Sequence, residues 1–263
     1  MRAEALFSLQ GQSAIVTGAA NGLGLAMTEV LSANGANVTM LDIDPRVIDE
    51  AARLDPSRET VRAFICDVCD PDGLRRGIEG AFEANGRLDI VCANAGKGSG
   101  SGPLTEAGAL ANVTGESWSG ILDLNLTATF HTLKYSVPLM RRRKYGRIIV
   151  TSSFAGLRGE ALVGYAYSAT KAAVANMVRH AAIELSLDNI LINAIAPGPF
   201  RTNIGGGRMH ESSTELAFAG RTRLKRIAEP DEVKGLTLLL ASPASSYITG
   251  TVIPIDGGGY ACG

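Results

Sequence analysis

Apolar residues in this chain are gathered into short blocks, separated by longer stretches in which apolar and polar positions recur at helical spacing. Short apolar blocks without an alternating polar face mark strands buried on both sides, the habit of a parallel sheet covered by helices. Strands are expected at Ser13 to Thr17, Asn37 to Leu41, Val61 to Cys66 and Leu88 to Ala93. Three more are expected at Arg147 to Thr151, Leu191 to Ala196 and Thr251 to Ile255. Helices fill the intervals, one near Leu23 to Ala33 and long ones near Glu116 to Met140 and Tyr165 to Leu187. No internal repeat or composition break marks a linker. The expectation for 1–263 is a single α/β domain, a doubly wound sheet of about seven parallel strands with helices on both faces.

Two stretches break the alternation. Lys97 to Gly102 reads KGSGSG and leads into small residues as far as Thr114, and Gly205 to Gly207 opens a second irregular segment ending near Arg223. Each follows the C-terminal end of an expected strand, where open α/β sheets bind ligands. Long irregular insertions of this kind are commonly functional or disordered. The triple glycine fits the hinge of a lid.

Composition narrows the function classes. Of 263 residues 46% are hydrophobic and 19% charged, enough for one extensive core, and the net charge of −1 offers no basic surplus for nucleic acid. The one basic run, Arg141 to Lys144, reads as a solvated helix end. No apolar run is long enough to cross a bilayer, and Met1 to Gln10 lacks a signal peptide's apolar block. A soluble cytoplasmic protein without a membrane partner is expected. Cys66 and Cys69 have CxxC spacing, but neither a second pair nor a nearby histidine supplies the about four ligands zinc needs. No metal is expected; Cys66 reads as a buried strand end and Cys92 as part of an apolar strand.

The chemistry gathers at three places. Thr17 to Gly24, TGAANGLG, lies between the first strand and the first helix, where glycines permit a tight turn and the helix start offers N–H groups to a pyrophosphate. Asp42 ends the second strand, where an acid accepts hydrogen bonds from ribose hydroxyls and repels a 2′-phosphate, favouring NAD over NADP. Asp44 precedes Pro45 and reads as a helix N-cap. Tyr167 and Lys171 stand four apart, on one face of a helix. A fixed cation there would favour the phenolate and draw a group of pKa about 10 toward neutrality.

In these motifs the chain resembles the classical short-chain dehydrogenases/reductases over nearly its whole length. The matching residues are the Thr17 to Gly24 turn, Asp42, Asp67-Val68, Asn94-Ala95-Gly96, Asn125, Ser153, Tyr167/Lys171, Pro197-Gly198 and the closing Asp256-Gly257-Gly258. The resemblance implies a Rossmann-type fold and a catalytic group of Asn125, Ser153, Tyr167 and Lys171. Tyr167 would be the general acid/base, Ser153 would hold the substrate oxygen, Lys171 would bind the nicotinamide ribose, and Asn125 would hold a relay water. It further implies an NAD site built from Gly18, Asn21, Gly22, Leu23 and Gly24, with Asp42 and Ile43 at the adenosine ribose and Asp67 and Val68 at the adenine. Asn94, Ala95 and Gly96 would line the groove, and Pro197, Gly198, Phe200 and Thr202 would cover the nicotinamide. Bland roles stand beside two of these, since Asp67 can cap a helix and Asn94 can satisfy buried backbone. Homotetramers are common in the family, and the apolar run Leu236 to Ala241 and the tail Ile248 to Ile255 are compatible with one.

Details bear on the assignment. Ser153, with Gly156 three residues on, fits the family's serine better than Ser152, and Tyr165 has Ala169 where a lysine belongs. The resemblance places the substrate among the 97–114 loop, Phe154 to Gly164 and 199–223, with Phe154, Leu157, Phe200, Met209, Leu216 and Phe218 as wall candidates. Arg158, Arg201 and Arg208 are candidate contacts for an anionic group. The expected activity is hydride transfer between NAD and a secondary alcohol or ketone. A sugar or polyol dehydrogenase is the near alternative and a 3-oxoacyl carrier-protein reductase a further one. From other classes, a nucleotide-sugar epimerase or dehydratase would need a longer chain, and a non-catalytic NAD-binding protein would not need the four catalytic positions intact. A serine hydrolase lacks its Gly-x-Ser-x-Gly elbow, and His131, His180 and His210 show no pairing.

Overall fold

The computed structural model describes residues 2–204 and 212–260. Its sheet has seven strands: β1 (Ser13–Thr17), β2 (Asn37–Asp42), β3 (Val61–Ile65), β4 (Ile90–Ala93), β5 (Gly146–Thr151), β6 (Ile190–Pro197) and β7 (Val252–Ile255). They lie in the order β3-β2-β1-β4-β5-β6-β7, every pair parallel. All seven expected strands are present with ends shifted by no more than two residues. The order reverses direction between β1 and β4, which opens a crevice at the carboxyl ends of those strands.

Helices cover both faces: α1 (Ala3–Phe7), α2 (Gly22–Ala33), α3 (Arg46–Leu54), α4 (Pro71–Asn85), α5 (Gly115–Leu122), α6 (Ala128–Arg141), α7 (Tyr165–Leu185), α8 (Ser212–Ala219) and α9 (Lys234–Ala241). Because side chains alternate across a strand, neighbours in sequence serve opposite layers. Ile15, Leu41, Val91 and Ile148 join Ile78, Met140 and Val174 in one core. Ala14, Val16, Met40 and Ile149 join Met27, Leu31 and Leu240 in the other. Burying a leucine or isoleucine is worth about 1.5–3 kcal/mol, so both layers contribute heavily to stability. Leu240 and Ala241 are fully enclosed, while Leu236, Leu238 and Leu239 are half-buried.

Four local readings change. The long helix expected over Glu116 to Met140 is interrupted by a π-helical turn, Asp123–Thr127. The segment expected to be irregular as far as Arg223 contains α8. Pro45, not Asp44, is the N-cap of α3, although the Asp44 carboxylate accepts the Arg46 N–H at 3.0 Å. Asp67 does not cap α4; Asp70 does, accepting the Asp72 N–H. Cys66 and Cys92 are buried, as their apolar surroundings implied. No helix among the described residues is long and apolar enough to cross a membrane.

Candidate active site

The site is assembled from the turn after β1 outward. Gly18 and Gly22 take φ of +66° and +56°, a region that favours glycine. A Cβ on Gly24 would fall 1.9 Å from the Gly18 carbonyl oxygen, so α2 begins pressed against the turn. Asn21 caps α2 without a side-chain hydrogen bond, which leaves first-turn N–H groups and the positive dipole end for a ligand.

Two polar side chains brace this turn. Asp42 accepts the Ala20 N–H at 2.8 Å on one carboxylate oxygen and the Asp44 N–H at 2.9 Å on the other. Each oxygen keeps further acceptor capacity. The Asn94 amide donates to the Thr17 and Gly18 carbonyls at 3.1 and 3.2 Å, and its oxygen accepts the Thr151 hydroxyl at 3.0 Å. The bland role considered for Asn94 is thus realised, while the residue also lines the groove.

The crevice has two lobes. A cavity of about 460 Å³ runs along the glycine turn past Asp42 and Ile43 to Asp67 and Val68, with Ala95, Gly96 and Lys171 on its far side. A second, of about 350 Å³, is lined by Ser153, Tyr167, Pro197, Gly198 and Phe200. Leu23, Thr151, Thr202 and Ile204 border both, so the lobes are continuous. The expected NAD residues are therefore divided: most line the first lobe, Tyr167, Pro197, Gly198 and Phe200 line the second, and Gly24 lines neither.

Helix α7 brings Tyr167 and Lys171 to the junction. Its first turn is capped from a distance, the Tyr167 N–H donating to the Ser99 hydroxyl at 3.1 Å. Lys171 is 2% exposed, and its ammonium donates to the Thr151 carbonyl at 2.7 Å. Burial without a carboxylate partner lowers its pKa to about 8. The Lys171 Nζ stands 5.8 Å from the centre of the half-buried Tyr167 ring. The expected downward pull on the phenol is not what dominates: burial raises the Tyr167 pKa, and a hydrogen bond with the Ser153 side chain works against that rise. Ser153 also accepts the Ala155 N–H at 3.2 Å. The near-miss residues fall away, since the Ser152 hydroxyl is committed to the Lys171 carbonyl at 2.9 Å and Tyr165 points to the exterior.

Asn125 is tied to the loop that follows β4. It is fully buried in the π turn, where its oxygen accepts the Lys97 N–H and its amide donates to the Lys97 carbonyl, both at 2.9 Å. The side chain thereby clamps the loop after β4. A Cβ on Gly96 would lie 3.1 Å from that carboxamide and 3.4 Å from the Lys171 Nζ, so glycine keeps this corner open.

The second lobe is bounded by the loops expected to bound it. Phe154, Phe200 and Phe218 are in its wall; Leu157 and Leu216 are not, and Leu216 is 73% exposed. Arg158 and Arg201 are engaged by Glu160 and by Glu215 and Glu229, outside the lobe. Gly205 to Gly207, Arg208, Met209 and His210 lie outside the described residues. His131 packs against Phe130 and Tyr135. Sequence reading missed Ser99, Thr151 and Lys97, which act through backbone atoms or as a remote cap and carry no motif of their own.

A family model described as enoyl-(acyl carrier protein) reductase matches residues 18–260. A tropinone reductase homolog of Arabidopsis thaliana is 34% identical over 257 residues, covering 96% of this chain and 92% of the relative. A short-chain type dehydrogenase/reductase from Mycobacterium marinum superposes with a TM-score of 0.89 at 30% identity, covering 98% of both chains. The Pseudomonas aeruginosa RhlG/NADP active-site complex gives 0.89 at 32%, covering 99% of this chain and 100% of that one. With likeness of this extent in both sequence and fold, the chain belongs to the short-chain dehydrogenase/reductase family.

Proposed function

We propose that this oxidoreductase transfers a hydride between NAD and a secondary alcohol or ketone. The observation that carries the reading is the meeting of Tyr167 and Ser153 with the buried Lys171 cation where the two lobes join. The first lobe suits a dinucleotide: glycines whose side chains would fill the turn, an uncapped helix start for the pyrophosphate and Asp42 for ribose hydroxyls. Bound there, the dinucleotide supplies the hydride donor or acceptor.

The chain's residues handle the proton and the orientation. Tyr167 gives its hydroxyl proton to a carbonyl oxygen in reduction, or as phenolate takes the proton of an alcohol in oxidation. Ser153 donates a hydrogen bond to the same oxygen. Lys171 holds ribose hydroxyls with the protons not given to Thr151 and, as a cation in a dry corner, eases formation of the phenolate. Asn125 keeps Gly96 and Lys97 in place beside them.

The substrate lobe is largely apolar, with Leu162, Val163, Phe200 and Phe218 among its walls, which suits a medium-sized hydroxy or keto compound. A diol or polyol is the near alternative. NAD rests on Asp42, whose charge opposes a 2′-phosphate. We further infer a cytoplasmic homotetramer, supported by family habit and by the bare apolar side chains Ile183 and Leu187.

The test follows absorbance of the reduced nicotinamide with a panel of secondary alcohols. Wild type should turn over with NAD, and Tyr167→Phe should lose about 10²–10⁴-fold in kcat. Full activity in Tyr167→Phe would sink the mechanism, and tight NAD binding without turnover of any alcohol would favour a binding protein.

A further inference from the structure

Behind the wall of the second lobe sits a carboxylate that the chemistry above does not use. Glu160 lies between Ser153 and Tyr167 in sequence, and its side chain is 0% exposed. One oxygen accepts the Leu162 N–H at 3.1 Å and the other accepts from the Arg158 guanidinium at 3.2 Å. The Arg221 Nε stands 3.8 Å from the first oxygen.

These three partners belong to three parts of the cavity's surroundings. Leu162 is itself wall, between Ala161 and Val163. Arg158 lays its guanidinium over the Phe154 ring at 5.3 Å, and Phe154 both lines the lobe and follows Ser153. Arg221 comes from the turn after α8, where its N–H is held by the Phe218 carbonyl at 3.0 Å. Ala217 and Phe218 of α8 border the lobe. No residue of α8 is buried, so apolar packing alone does little to fix that helix. Its polar ties carry the burden: Arg201 to Glu215 on one side, and Arg221 to Glu160 behind. A carboxylate enclosed in protein persists only with partners, and taking its charge away also leaves the half-enclosed guanidinium of Arg158 without its acid.

We propose that Glu160 is a positioning residue for the substrate lobe. It holds the 161–163 wall and the α8 side of the cavity in one relative arrangement, and thereby sets substrate affinity rather than the proton or hydride step. The proposal rests on the second lobe being the substrate site.

Glu160→Gln keeps the shape and an acceptor for the Leu162 N–H but removes the charge. Its KM for the alcohol should rise about tenfold, the loss of one charge-assisted hydrogen bond, while kcat and NAD affinity stay at wild-type values. Hydrogen exchange supplies a readout independent of turnover. In Glu160→Gln, amides of both 158–163 and 212–219 should exchange faster, while those of β1 and β5 stay unchanged. Arg221→Gln, at a more accessible side chain, should fold normally and speed exchange in 161–163 from the opposite side. A wild-type KM in both variants would overturn the proposal. So would exchange altered only within the Glu160 loop, with Arg221→Gln silent. If wild type turned over no alcohol, the functional reading would fail, while the exchange measurements would still decide whether Glu160 couples the two segments.

Discussion

Lys171 and Asp42 show how far single residues decide the chemistry. The Lys171 pKa of about 8 lies below the usual lysine value because burial penalises its charge. In the unfolded chain lysine keeps its proton to about pH 10.5, so between those values the unfolded state binds more protons and stability rises with pH. Below about pH 8 both states are charged and the burial cost is fully present. Compared with Lys171→Met, wild type should therefore gain about 2 kcal/mol on going from about pH 7 to about pH 10. Urea unfolding of both proteins at the two pH values measures this difference, and equal shifts would mean that Lys171 keeps its proton in the folded protein as far up in pH as in the unfolded chain, so that burial does not lower its pKa. Asp42 braces the glycine turn and, in the function proposed above, also selects the cofactor. Asp42→Ala should erase the preference for NAD over NADP in kcat/KM that the proposed function gives it and, by freeing the Ala20 and Asp44 N–H groups, lower thermal stability. An unchanged cofactor ratio would remove Asp42 as the selecting residue.

At the scale of elements, the strands were legible because β1, β5 and β6 are buried along their whole length, which leaves their apolar blocks uninterrupted. The glycine turn was equally plain, since no other residue type fits its φ values and close approaches. The π turn was not. Its sequence DLNLT sits inside a helical apolar pattern, and the tertiary bond between Asn125 and Lys97 that accompanies the turn is recorded by no local propensity. α8 was missed for a related reason: with no buried residue it has no apolar stripe to read. The role of Lys171 was half legible, because four-residue spacing shows proximity but burial sets its pKa. Gly156 is a case in which a family habit acquires a cause. A Cβ there would come within 2.5 Å of the Lys171 backbone, so the glycine lets the loop after Ser153 lie directly on α7.

For the whole molecule, the bare apolar side chains bear on assembly. Ile183 and Leu187 are 71% and 85% exposed at the end of α7 and the turn that follows. Light scattering should give four times the chain mass for wild type and a smaller species for an Ile183→Asp, Leu187→Asp double variant; a monomeric wild type would remove the tetramer. The strand order has a separate consequence, for how the chain comes together during synthesis. β2 finds β1 already made, β3 finds β2, and β4 then takes the free side of β1, with β5, β6 and β7 following outward in turn. No strand has to wedge itself between two that are already joined. At every stage, however, the newest strand is a bare, apolar margin. β6, buried along its whole length in the finished protein, stays such a margin until β7 emerges. A chain stalled between the two would display eight residues of sticky backbone and side chain, the kind of edge that recruits other chains. The last strand is thus the seal against aggregation as well as the final support of the Pro197 turn.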